Sequence, residues 1–202
     1  MVEAVFQILA HDSEATILLC APSNPAADTL VRRLATTLQV GTLLRLNSPQ
    51  RTFAEVPDNV LPYCHVIDDT FAMPPFTELM KYRVVVTNCR DAGMLVNGRV
   101  TNGEMMRAQR ELYKAIHPTS KRAPPPLHPH WTHLLVDEAA QACEPEVLIP
   151  MEVVLPWIDN EGRGHDGTRD PVIVLCGDVH QCKSSSRNTA NDCYRYCDTD
   201  GW

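Results

Sequence analysis

The stretch HWTHLLVDEAAQACEPEVLIP, running from His130 to Pro150, decides the fold. Its apolar run Leu134–Leu135–Val136 reads as a strand, and that strand ends in two adjacent acids, Asp137 and Glu138. In a parallel α/β sheet, ligands bind outside the carboxyl ends of the strands. Paired acids at such a tip can face a ligand instead of the core. One carboxylate can hold the water shell of a nucleotide-bound Mg²⁺, and the other can orient or deprotonate an attacking water. The competing reading is a helix N-terminus decorated with acids, which the helix dipole favours. For an apolar-Asp-Glu string on its own that reading is the better one, so the companion motifs must decide.

Working outward, ATILLCAP (residues 15–22) is a continuous apolar run stopped by proline, the pattern of a strand buried on both faces. SNPAADTLVRRLATTL follows. Ser23 suits a helix N-cap and Pro25 a first turn, and Ala27, Leu30, Val31, Leu34 and Leu38 form one apolar stripe. Val2, Val5, Phe6 and Leu9 also stand at helical spacing. TLLRL (42–46), YRVVVTN (82–88), THLLVD (132–137) and PVIVLCGD (171–178) are further predicted strands. Strands alternating with helices predict a doubly wound, mostly parallel sheet.

Composition sets the outer limits. The chain has 202 residues, 44% of them hydrophobic, enough for one α/β domain with a real core. A net charge of −7 argues against a broadly basic nucleic-acid-binding surface, though not against a local basic groove. No apolar run approaches the ~20 residues of a membrane-spanning helix. The opening MVEAVFQILAH carries Glu3 and no basic segment, so it reads poorly as a secretion signal. The eight cysteines are accordingly expected as reduced thiols in a cytoplasmic protein. The sixteen prolines gather in loops, notably His117–Trp131, where Pro124, Pro125 and Pro126 make a stiff connector. The histidines read as ordinary: His11 in a loop, and His117, His128 and His130 in that connector. Trp131 is expected to pack at a strand start and Trp157 near a loop.

The companion motifs are present, in order. LLVDEAAQACEPEVLIP resembles motif II, the Walker B box, of superfamily-1 helicases of the up-frameshift-like group. ILLCAPSNPAADTLVRRL resembles motif Ia, YRVVVTNCRDAGML motif Ic and VIVLCGDVHQ motif III, and LLRLNSPQRTFAEVPDNVLPYC resembles the Armitage-like branch, which acts in RNA silencing. The resemblance covers residues 1 to about 181. It implies a RecA-like P-loop NTPase fold, ATP and Mg²⁺ as cofactors, and RNA as partner, with silencing or ribonucleoprotein factors beside it. By the same resemblance Asp137 would hold Mg²⁺ through water and Glu138 would be the catalytic base. Gln181 would sense the γ-phosphate, with Gly177 and Asp178 shaping its turn, and Gln141 would line the nucleotide site. Pro22, Ser23, Asn24 and Thr87 would touch the RNA backbone, where short donors position a strand without reading its sequence. For Ser23 and Asn24 the bland alternative is helix capping, and for Thr87 a plain β-branched strand residue.

Two features depart from the family. Its Walker A loop, G-x-x-x-x-G-K-[ST], cradles phosphates, yet these residues contain no Gly-Lys dipeptide. The family's helix after that loop resembles VEAVFQILAHD, so the chain is expected to start just past the P-loop, to be an incomplete RecA-like domain, and to lack ATPase activity by itself. Loss of the Walker A strand would leave VIVLC as an unpaired edge and the isolated chain prone to aggregate. After GDVHQ the text turns to CKSSSRNTANDCYRYCDTDGW (182–202), an irregular tail expected to be disordered. Cys176, His180, Cys182, Cys193 and Cys197 raise a zinc reading, but their spacing is poor and an unstructured tail is preferred. The rival to an active helicase segment is a non-catalytic RNA- or partner-binding remnant, or a truncated reading frame without activity.

Overall fold

A computed structural model of the chain describes residues 1–119, 128–156 and 170–178. Helix α1 (Val2–His11) leads into strand β1 (Ile17–Ala21) and helix α2 (Asn24–Leu34), followed by β2 (Leu43–Arg45). A small hairpin, β3 (Val66–Ile67) and β4 (Thr70–Phe71), precedes the short α3 (Phe76–Leu79) and then β5 (Val84–Asn88). The helices α4 (Gly93–Asn97) and α5 (Asn102–Ile116) lead to β6 (His133–Val136), α6 (Glu144–Val154) and β7 (Val172–Leu175).

The main sheet runs β2-β5-β1-β6-β7, and every pairing in it is parallel. All five carboxyl ends therefore lie along one edge. The middle strands are buried throughout because both faces are covered. Ile17, Leu19 and Ala21 of β1 pack with Val84, Val86 and the apolar stripe of α2. Leu18 and Cys20, on the other face, pack with Val85, Leu95, Trp131 and Val153. Side chains alternating between two cores explain why these strands read as unbroken apolar runs.

β7 is different. It bonds only to β6, and Val172, Val174 and Leu175 are 40%, 39% and 49% exposed. Its apolar sequence resembles that of a buried strand, but among the described residues it is a sheet edge. Cys176, expected inside this strand, lies just beyond it and is exposed. The other members of the proposed zinc cluster, the 182–202 tail and Trp157 lie outside the described residues. The described Cys20, Cys64, Cys89, Cys143 and Cys176 are free thiols. Among the described residues no helix is long and apolar enough to cross a membrane.

The β3–β4 hairpin and the helices α3 to α6 went unassigned in the sequence. The β3–β4 hairpin turns on Asp68 and Asp69, with φ of 48° and 55°. Successive positive φ values make the tight turn that matches strand twist. α5 starts at an N-cap, where Thr101 Oγ1 accepts from the Glu104 amide at 3.1 Å. Beside it, buried Asn102 donates to the carbonyls of Trp131 (2.8 Å) and Val154 (2.6 Å) and accepts from the Trp131 amide (2.9 Å). The Trp131 indole donates to Val100 O at 2.7 Å. This latch fixes the start of β6, the strand that carries Asp137 and Glu138, against α6.

Candidate functional site

The candidate residues line the carboxyl edge of the sheet in two groups. The first surrounds the turn after β6. Asp137 extends the β6 ladder, its amide donating to Cys20 O of β1 at 2.9 Å. Glu138 is exposed and left-handed, φ 52° and ψ 36°, a conformation that costs a non-glycine residue on the order of 1–2 kcal/mol. The turn Ala139–Gln141 then closes, with the Gln141 amide donating to Glu138 O at 2.9 Å. The Ala139 amide donates across to Cys176 O at 2.8 Å, tying the turn to the end of β7. Gly177 makes that contact possible: a Cβ there would stand 2.7 Å from the Ala140 amide nitrogen. The acids do not decorate an α-helix N-terminus: Glu138 precedes only the single 3-10 turn Ala139–Gln141. α6 begins only at Glu144, and Glu144 and Glu146 take the favourable first-turn positions. Asp178 is exposed just past Gly177, and Gln181 lies outside the described residues.

The second group surrounds the start of α2. Ser23 caps the helix, its hydroxyl accepting from the Ala26 amide at 3.4 Å, and Pro25 sits in the first turn. Ser23 is exposed, while Pro22 and Asn24 are half-buried at the same edge. Thr87 differs from these: it is 0% exposed and its hydroxyl donates to Leu46 O at 3.1 Å. The expected RNA contact of Thr87 therefore falls on a hydroxyl that the sheet encloses. A β-branched residue in a central strand is enclosed by both neighbours, and its hydroxyl here ties β5 to the end of β2.

Beneath Asn24 lies a buried polar network that the sequence did not reveal. Arg45 on β2 is 0% exposed and donates to Asp28 Oδ1 (2.9 Å), Leu46 O (2.6 Å) and Asn24 Oδ1 (2.9 Å). Arg51 grips the same Asp28 carboxylate at 3.0 and 2.5 Å and reaches Asn47 Oδ1 at 2.7 Å. Burial alone would raise the Asp28 carboxyl, but the Arg51 hydrogen bonds and the charge of Arg45 outweigh it and hold it below its ordinary value. Asn88 donates to Asn24 Oδ1 at 2.7 Å and to Asp91 Oδ2 at 2.8 Å. Charged members of a strand and a loop gave no periodic signal, since their partners are far apart in the chain.

The opposite edge holds a cavity of about 610 Å³, bordered by Asp12, Thr16, Arg83, His128, His130 and Asp170. These residues lie before the strands, away from the candidate site. His130 is no ordinary loop residue. Its ring meets Trp131 edge-on at 4.9 Å, its Nε2 is buried without a partner, and burial pushes it down to about 4. His11 also departs from expectation, ending α1 with Nδ1 bonded to Gln7 O at 2.8 Å.

The chain is 33% identical over 183 residues to the RNA helicase Mov10l1 of Homo sapiens, a match covering 90% of this chain and 12% of the relative. It is 28% identical over 183 residues to the putative helicase MOV-10 of Gallus gallus, covering 90% of this chain and 16% of the relative. Over 90% of its length the chain is thus similar to RNA helicases, consistent with a segment of an up-frameshift-like superfamily-1 helicase. A probable helicase with zinc finger domain from Homo sapiens is 28% identical over 188 residues, 90% of this chain and 8% of that protein. No family model matches the chain. The chain thus spans less than a fifth of the length of these relatives, with shares of 12%, 16% and 8%. Its parallel sheet with helices on both faces agrees with the RecA-like α/β class.

Proposed function

We propose that residues 1–181 are part of the first RecA-like domain of an ATP-dependent RNA helicase, followed by an irregular 182–202 tail. The observation that carries this reading is the placement of Asp137–Glu138 and Pro22–Ser23–Asn24 on one carboxyl edge, on the adjacent strands β6 and β1. Asp137 would hold Mg²⁺ through water and Glu138 would accept the proton of the attacking water. Gln141, Gly177, Asp178 and Gln181 would form the nucleotide side of the site.

Asp137 and Glu138, at the tip of β6, offer the one or two carboxylates that such an ion needs. Among the described residues no three acidic, histidine or cysteine side chains converge on one point. Mg²⁺ is commonly held by one or two carboxylates, its remaining positions filled by water and substrate phosphates. When bound, Mg²⁺–ATP supplies the phosphoryl group and screens the charge that develops on it. As adjacent residues, with Glu138 in a left-handed turn, the two acids can divide those roles. Ser23 and Asn24 supply short donors at the α2 corner for phosphate and sugar oxygens. Thr87 acts below the surface by fixing the β2 and β5 ends. Partners among silencing or ribonucleoprotein factors rest on the Armitage-like resemblance, and a cytoplasmic setting is part of the same proposal.

Two measurements test the reading. A single-stranded oligoribonucleotide titrated with the chain should bind in a salt-sensitive manner. Ser23→Ala with Asn24→Ala should weaken that binding, and no binding at all would sink the RNA assignment. In a complete helicase containing this segment, Glu138→Gln should preserve RNA binding and slow ATP hydrolysis roughly 10²–10⁴-fold, the usual worth of a general base. Unchanged turnover would remove Glu138 from the chemistry.

A further inference from the structure

The network under α2 determines which way the Asn24 amide faces. Asparagine presents one accepting oxygen and one donating nitrogen, and the two are easily exchanged by a flip. Here the choice is made by chemistry. A guanidinium has only donors, so the Asn24 atom 2.9 Å from Arg45 Nη2 must be the carbonyl oxygen. Asn88 reinforces the choice from the other side. Its Nδ2 bonds Asp91 Oδ2 at 2.8 Å, and its Oδ1 accepts from the Asp91 amide at 2.6 Å. An ionised carboxylate only accepts, so that nitrogen cannot be an oxygen. The same nitrogen donates to Asn24 Oδ1 at 2.7 Å. A cation at one end and an anion at the other thus pin the polarity of both amides.

We propose that Arg45 is a positioning residue for RNA-backbone recognition: by holding the Asn24 carbonyl, it commits the Asn24 NH₂ group to donate to a phosphate or sugar oxygen. The inference rests on the RNA-facing reading of the α2 corner. Asp28 keeps Arg45 in register through the 2.9 Å bond to Nε. Without the guanidinium only the neutral Asn88 contact holds the carbonyl, so the amide flips more readily and presents an oxygen that repels an anionic ligand. Arg45 is fully buried and never touches the ligand, so its effect must pass through Asn24.

A double-mutant cycle on binding of a single-stranded oligoribonucleotide tests this with the full chain. Asn24→Ala should weaken binding roughly tenfold, the loss of one charge-assisted hydrogen bond. Arg45→Met should weaken it comparably in the parent background and not further when Asn24 is already Ala. Asn88→Ala, which releases the same carbonyl and spares the Asp28 cluster, should behave alike if Arg45→Met folds poorly. Asn24→Asp is the sharpest readout. Its carboxylate should pair with Arg45 and leave the melting temperature unreduced, yet bind RNA more weakly than Asn24→Ala. Equal losses from Arg45→Met and Asn88→Ala in both Asn24 backgrounds would show action through the fold alone and overturn the proposal. Binding that is insensitive to Asn24→Ala would overturn the RNA-facing reading as well, so the two failures are distinguishable.

Discussion

At the α2 corner of the sheet edge, Asn24 is gripped by two side chains, and the guanidinium behind it is paired, buried and bonded three times. At the β6–β7 corner, Glu138 is exposed, left-handed and fixed through backbone, with the Ala139–Cys176 bond and the close approach of Gly177 joining it to an edge strand. The first corner is rigid because charged groups taken out of water must stay paired. The second stores local strain and leans on an edge strand that bonds to one neighbour. On the proposed function, the corner that would hold RNA is pre-organised by side chains, and the corner that would do chemistry is held mainly through backbone.

The largest expected effect tests the first half of that contrast. Asp28→Ala leaves two buried guanidinium groups without their counter-charge and should destabilise the chain by about 3–5 kcal/mol in urea or thermal melts. The pH dependence has a definite sign. The Asp28 carboxyl is held below its ordinary value, so its contribution is present above the unfolded value, about 3.9, and is lost as pH falls through the folded one. His130 acts in a separate window: its neutral buried ring costs stability as pH falls from about 6.5 toward 4. Asp28→Asn should flatten only the lower limb, and an unchanged limb would break the idea that this pair braces the α2 corner.

Gly177→Ala probes the second corner. The added Cβ meets backbone nitrogen at 2.7 Å, so the turn must shift, at about 1–3 kcal/mol for overpacking. Hydrogen exchange at the Ala139 amide should quicken while exchange in β1 and β5 stays slow. Protection lost evenly across the sheet would show that the two corners are not separate units. The smallest effect is a gain. Glu138→Gly should stabilise the chain by up to about 1 kcal/mol by relieving the left-handed backbone. A loss of stability would mean that the Glu138 side chain, not the backbone conformation, holds the turn.

Much of the fold was legible because its causes are local. All five strands of the main sheet were predicted, β1, β5 and β6 most plainly as apolar runs, and α2 by Ser23, Pro25 and its stripe. The Asp137–Glu138 pair was legible for the same reason, as charges that no buried strand could carry inward. The burial of Thr87 was not legible, because a hydroxyl at a strand end looks the same in sequence whether it faces a ligand or a neighbouring carbonyl. The hairpin at Asp68–Asp69 was missed because Asp-Asp is a weaker turn signal than Asn-Gly.

The sequence by itself determined the α/β class, the order of the strands along the chain, and which carboxylates stand at a strand tip. These follow from periodicity, capping and the cost of burying charge, all of which act over a few residues. Only the tertiary structure decided that Asp28, Arg45 and Arg51 share one buried cluster, that Asn24 and Asn88 face each other, and that Gly177 lies under the Ala139–Ala140 turn. Those contacts join segments far apart in the chain, and they exist because parallel pairing brings the five strand ends to one edge.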